Sequence, residues 1–243
     1  MCGRFTRIVP LVSIMTRFAI SNQVNEKEYK SSYNVAPGQN INAIINDGRH
    51  NRFGQLRWGL IPSWAKDPKI GNKLINARAE TIAVKASFRK AFLKRRCLLP
   101  ADGFYEWKHD SENKKMKTPM RFQLKSGELF ALAGIWESWT APDGHKIFTC
   151  AIITTEANEL MAPIHNRMPV ILRKEDEKFW LDPSNHDREA LSKLLIPYPS
   201  EEMAAYQVSE DVNSVKNDGP HLIEEVRRDS VDPIQHDEEK DHL

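Results

Sequence analysis

Cys2 stands directly after Met1 in "MCGRF", and a cysteine there has an option that an internal one lacks. Once Met1 is removed, its thiol and a free α-amine sit on adjacent carbons. In peptides the α-amine titrates at about 7.7–8.0 and the thiol at about 8.5, so both are partly deprotonated near neutral pH. An amine condenses with an aldehyde to a Schiff base. A thiol two bonds away can then add to the imine and close a five-membered thiazolidine, a step that proximity makes fast. The plainer alternative is a buried thiol behind a retained Met1.

Such chemistry needs proton transfer and a grip on the substrate. "GFYEW" sets Glu106 on a strand between aromatics. Pointing inward it suits general acid–base work; pointing outward it is a solvated side chain, and strand alternation gives both faces an equal claim. "PIHNRMP" places His165 on a loop beside Arg167, where a second proton-transfer group or an ordinary surface histidine would stand. "INARAE" puts Asn76, Arg78 and Glu80 at alternate positions. Arg78 could fork onto a phosphate, although a helix start capped by Asn76 explains the same run. Pro37, Trp58 and Trp64 lie among Arg49, Arg52, Arg57 and Lys66. Aromatics among bases suit stacking on unpaired nucleobases beside a groove that tracks a backbone, unless the tryptophans are core.

The elements that must carry these residues follow from pattern. Leu11, Val12, Met15, Phe18 and Ala19 have helical spacing, with Pro10 in the first turn and Asn22 near the end. Ile41–Ile45 reads as a strand before an Asp47-Gly48 hairpin signal. The Gly-, Pro- and Trp-rich run from Phe53 to Glu80 reads as a long irregular surface segment. Helical pattern returns in "NARAETIAVKA" and in "SFRKAFLKRR", the latter with Ser87 as N-cap and a charged face of Arg89, Lys90, Lys94, Arg95 and Arg96. Strands and turns dominate from Arg96 to Thr155. Helices follow around Glu175–Leu181 and Asp187–Leu195, and "AYQVSEDVNSV" returns to strand. Helices at either end of a strand-rich middle predict an α+β fold around a largely antiparallel sheet.

Composition narrows the class. The chain has 243 residues, 40% of them hydrophobic, with 35 basic and 33 acidic side chains. Glu224–Leu243 carries a net charge of −5, which leaves +7 on the remainder. A basic body implies an anionic partner, and the acidic segment reads as a solvated tail. Three scattered cysteines exclude a disulfide framework or a Cys-x-x-Cys metal site, so no metal is expected. The apolar run "IVPLVSIM" is interrupted by Pro10 and Ser13 and lacks a cleavage site, and no run reaches membrane-spanning length. A cytoplasmic protein that does not engage membranes is expected.

Nine ordered motifs ("MCGRF", "APGQ", "RWGLIPSWA", "NARAET", "RCLLPADGFYEW", "FALAGIWE", "IITTEAN", "HNRMPVIL" and "VKNDGPHLIE") make the chain resemble the SOS-response-associated peptidase (SRAP) family. The resemblance runs from residue 2 to about Glu224. It implies a curved, barrel-like, mainly antiparallel β core with flanking helices over residues 2–224; the acidic tail over 225–243 lies outside the motif set and is expected to be disordered from its composition. It implies binding to single-stranded DNA that contains abasic sites, a covalent DNA–protein cross-link through Cys2, a peptidase-like self-processing of Met1 and a lyase activity. No cofactor is needed, and a monomer that associates with the nucleoid on damaged DNA is expected. Carried over by motif, Cys2 is the nucleophile, Asn76 positions the N-terminus and sugar, Glu106 is the acid/base, and His165 assists sugar ring opening and reversal. Arg4, Arg78 and Arg167 are implied DNA contacts, with Trp58, Trp64 and Pro37 beside them. Two rivals stay open: an N-terminal-nucleophile amidase, which would share Cys2, and a non-covalent single-strand-binding module whose affinity falls steeply with salt.

Overall fold

The structure is a computed structural model and describes residues 2–110 and 116–226. In chain order the elements are β1 (Phe5–Arg7), α1 (Leu11–Arg17), β2 (Ser32–Val35), β3 (Asn40–Asn46), β4 (Asn51–Trp58), β5 (Asn76–Arg78), α2 (Ala79–Ile82), α3 (Arg89–Lys94), β6 (Arg96–Ala101) and β7 (Gly103–His109). They continue with β8 (Lys117–Leu124), β9 (Phe130–Thr140), β10 (Lys146–Glu156), β11 (Arg167–Pro169), β12 (Ile171–Leu172), α4 (Lys174–Leu181), α5 (Arg188–Lys193) and β13 (Met203–Gln207).

β10, β4, β3, β6 and β9 hydrogen-bond in a ring, and the β9–β10 pairing closes it into a five-stranded barrel. Closure removes the free edges that an open sheet would expose. The short strands β5 and β11 pair with the far half of β10, and β12 pairs with β9. A second, antiparallel sheet runs β13-β8-β7-β1-β2. The fold is therefore α+β with a barrel core and flanking helices, as expected.

Barrel strands covered on both faces read as continuous apolar runs. Along β6, Leu98 joins a cluster with Ile14, Phe92 and Trp180 of the helices, while Cys97 and Leu99 join one with Phe5, Phe104 and Phe122 of the second sheet. The same split along β9 and β10 explains "FALAGI" and "CAII".

Several sequence expectations are corrected here. "NAR" is a strand parallel to β10, and only Ala79–Ile82 is helical. Asn76 is thus no helix cap. Helix α1 ends at Arg17, well before Asn22. Phe88, not Ser87, occupies the N-cap of α3, and it makes no side-chain capping bond. The run after Phe53 is not all surface: β4 continues to Trp58, and Leu60 and Ile61 are buried. Gly59, at φ +132°, lets that segment turn inward, and a Cβ there would lie 2.7 Å from the Gly71 carbonyl oxygen. Strand β13 stops at Gln207, and Glu210–Asn213 is a 3-10 turn. Residues 227–243, most of the expected tail, lie outside the described residues.

Arg96 is the largest of these departures. It leaves the charged face of α3 and is buried. Its guanidinium donates to the carbonyl oxygens of Phe92 (3.0 Å), Leu93 (2.7 Å), Trp180 (2.6 Å) and Asn185 (3.0 Å), and also to that of Asp182. It satisfies the orphan carbonyls at the end of α3 and ties that helix to the end of α4. Charge-assisted bonds of this kind contribute roughly 1.5–3 kcal/mol each, and the stranded carbonyls add a desolvation cost. Arg96→Met is expected to destabilise the fold by at least about 3 kcal/mol. Urea unfolding checks this, and a midpoint equal to wild type would refute the account.

Candidate active site

Cys2 precedes β1 and is completely buried, packed in the cluster that holds Phe5 and Trp58. Its carbonyl oxygen accepts a hydrogen bond from Asn76 Nδ2 at 2.9 Å. Asn76 is delivered by β5, where Ala77 is buried between the helices and the barrel. Strand alternation then turns Asn76 and Arg78 to the opposite side. The buried Ala is the anchor, and the two polar residues flanking it are presented to the site.

Glu106 is 3% exposed, so the even odds from alternation resolve inward. On β7, Phe104 belongs to the cluster containing Cys2, whereas Tyr105 belongs to a separate one against Val212 and Leu222. Glu106, two residues beyond Phe104, shares the Cys2 side. Electrostatics agree: burial pushes the Cys2 thiol far above its ordinary value, and the Glu106 charge pushes it further, against an opposing backbone N–H from Arg4. The thiol is a protonated reserve in this arrangement, and a base must act before it becomes a nucleophile.

A cavity of about 710 Å³ opens beside Glu106, which lines it together with Arg4, Trp107, His165, Glu210 and Asn213 among others; neither Cys2 nor Asn76 is part of its lining. Arg4 Nη1 donates to Asn34 Oδ1 (2.6 Å) and Val212 O (2.7 Å), and its guanidinium lies 5.6 Å from the Trp107 ring centre. His165 is half-buried on the loop before β11, and its Nδ1 takes the backbone N–H of Arg167 at 3.0 Å.

β10 gathers the remaining candidates. Arg78 stands opposite Thr154 on one side, and Arg167 stands opposite Glu156 on the other. Arg78 is exposed. Trp64 is 59% exposed and Pro37 is exposed, so both have free surface for stacking. Trp58 does not: it is completely buried, tilted against Phe5, with its indole N–H given to Ile75 O at 2.9 Å. It is core and has no ring face to offer a nucleobase.

Several contributing residues escaped sequence reasoning. Trp107 was legible only as a neighbour of Glu106. Asn34 is buried and donates to the carbonyls of Val212 (3.3 Å), Ser214 (3.0 Å) and Asn217 (2.8 Å), so it holds the segment that walls the cavity. The signal was the pairing of "YNVAPGQ" with "VKNDGPHLIE", 180 residues apart. Among the described residues, no group of three or more His, Cys, Asp or Glu could hold a metal ion, and no helix is long and apolar enough to cross a membrane.

Comparison with known proteins follows the same lines. The chain is 58% identical over 224 residues to the abasic site processing protein YoqW of Bacillus subtilis, covering 92% of this chain and 99% of that one. It is 34% identical over 230 residues to the abasic site processing protein HMCES of Gallus gallus, covering 82% of this chain and 68% of that one. A crystal structure of a Bacteroides thetaiotaomicron protein superposes with a TM-score of 0.84 at 29% identity, covering 93% of this chain and all of that one. The family model described as SOS response associated peptidase (SRAP) matches residues 1–215, and the chain belongs to that family.

Proposed function

We propose that the protein captures abasic sites in single-stranded DNA as a covalent thiazolidine at Cys2, after Met1 is lost through the chain's own peptidase-like activity or an aminopeptidase. The observation that carries this is the Cys2 main chain held by Asn76, with the thiol inside the field of Glu106 beside a cavity that His165 also lines.

The steps balance without an oxidant or a metal. The ring-opened sugar presents C1′ as an aldehyde. The Cys2 amine adds to C1′, and water leaves to give an iminium. The thiol proton passes to Glu106, the sulfur adds to C1′, and the nitrogen becomes a secondary amine within the new ring. One water is released overall. Before sulfur adds, the same iminium would permit strand cleavage by β-elimination, the lyase outcome, and capture by sulfur withdraws it. The exposed Trp64 supports stacking on an unpaired base, and the exposed Arg78 supports a phosphate contact. Arg4 is held at the cavity wall, where a contact to the sugar-phosphate is within its reach. A relation to abasic-site processing is also what the names of the relatives carry.

Incubation with an abasic oligonucleotide should give a species that survives denaturation, with the mass of Met1-less protein plus DNA minus one water. An intact site-free oligonucleotide should give none. Turnover of simple amides without DNA, or a complex that dissolves in salt and detergent, would instead favour the amidase or the non-covalent reading. Arg78→Ala should weaken the non-covalent encounter and lower its log–log salt slope by about one, since each phosphate contact releases about one counterion. Titration across salt concentrations checks it.

A further inference from the structure

Glu80 is not a cavity residue, yet it grips one of the strands that hold the site. It stands on the first turn of α2, two residues after Arg78. Its carboxylate takes the Arg167 guanidinium with both oxygens: Nη1–Oε1 is 2.5 Å and Nη2–Oε2 is 3.0 Å. The same Nη2 donates to the Thr154 carbonyl at 2.6 Å. The Arg167 side chain is only 12% exposed, whereas that of Glu80 is 51% exposed. Bidentate pairing fixes an arginine in plane as well as in place. Three elements, α2, β10 and β11, are thereby locked at the residue where β11 starts.

That residue also addresses His165 through its main chain. The Arg167 N–H donates to His165 Nδ1 at 3.0 Å. The Arg167 carbonyl lies 3.3 Å from the same ring nitrogen and is the longer contact. A backbone N–H can only donate, so Nδ1 must present its lone pair to it. A neutral imidazole with a bare Nδ1 carries its proton on Nε2. The ring lines the cavity.

We infer that Glu80 is a positioning residue: through Arg167 it holds His165 as the Nε2–H tautomer on the wall of the reaction cavity. For its consequence the inference rests on the cross-linking function proposed above. The closed sugar must open before C1′ is an aldehyde. His165 Nε2–H donates a hydrogen bond to the ring oxygen O4′ and stabilises the charge it gains as the C1′–O4′ bond breaks. The C1′ hydroxyl loses its proton to Glu106, C1′=O forms, and Glu106 returns the proton to O4′, so both side chains end as they began. The tautomer makes His165 the donor and leaves Glu106 the acceptor.

Two measurements on the mature protein test this. In long-range 1H–15N spectra of 15N-histidine-labelled wild type at pH 7.5, His165 should show a protonated-type Nε2 and an unprotonated-type Nδ1. In Glu80→Ala the two nitrogens should move towards averaged shifts. The cross-linking rate at saturating abasic DNA should fall about tenfold, the scale of a misplaced catalytic group, while the Kd for non-covalent DNA is unchanged or tighter because Arg167 is released. Glu80→Gln keeps an acceptor for the guanidinium, and its rate should lie between the two. A wild-type His165 protonated on Nδ1 would overturn the inference. So would a Glu80→Ala rate equal to wild type, or a rate that falls only as DNA binding falls. Wild-type protein that forms no cross-link at all would defeat the proposed function, whereas the imidazole spectra would still judge the tautomer.

Discussion

Cys2→Ala should abolish the denaturation-resistant species on abasic DNA, lowering its yield at least about 100-fold, while leaving a fold that binds single strands. The variant keeps the α-amine, so it can still condense with C1′. What it lacks is the sulfur that converts a reversible iminium into a ring. An intramolecular thiol competes with water at an effective molarity of roughly 10⁵ M or more, so its loss cannot be offset by a higher protein concentration. Borohydride should trap the Ala variant as a reduced amine and thereby report that amine and sugar still meet. The fold should tolerate the change: a buried methyl-sized truncation costs on the order of 1–2 kcal/mol, and the Asn76 bond uses the Cys2 main chain, which alanine keeps. Denaturing gels with and without borohydride read both outcomes. A Cys2→Ala protein that cross-links as well as wild type without borohydride would sink the thiazolidine.

Glu106→Gln should slow cross-linking by roughly 10²–10⁴-fold, the usual reach of a general acid–base group. The change is nearly isosteric, so the β7–β8 pairing, where Glu106 stands opposite Met120, survives. Its second effect has the opposite sign. The Glu106 charge raises the Cys2 thiol, so the amide lets the thiol ionise at a lower pH than in wild type, although burial, the larger cause, still holds it up. If Glu106 merely suppressed the thiolate, the variant would react faster. If it carries protons, the variant reacts slower despite a more acidic thiol. Thiol alkylation against pH, set beside cross-linking rates, separates the two. A faster cross-link in Glu106→Gln would remove Glu106 from the role assigned here.

Both variants concern residues whose identity was legible in the sequence but whose direction was not. Helix α4 was readable to within a residue because a local period of 3.6 fixes it. The parallel pairing of "NAR" with β10 was not, since three residues carry no period and the bond partners lie 76 positions away. The same holds for Trp58, whose flanking arginines suggested a nucleic-acid surface while the inward turn at Gly59 and the Ile75 carbonyl made it core. Arg96 looked like the last member of a solvated face, because nothing local shows five carbonyls converging on it from α3, the end of α4 and the turn beyond it. The motifs therefore supplied the candidate residues, and long-range contacts decided where their side chains lie.

Asn76 reaches back 74 residues to hold the Cys2 carbonyl. Cys2 therefore acquires this partner only after β5 has been synthesised and docked on β10. Under the proposed function, an aminopeptidase can meet an unsheltered Met1 during that interval, and the aminothiol it frees is open to cellular aldehydes, since proximity alone makes ring closure fast. Docking of β5 accompanies complete burial of Cys2, so folding would withdraw the aminothiol from metabolites, and a slowly folding chain would be the more readily consumed.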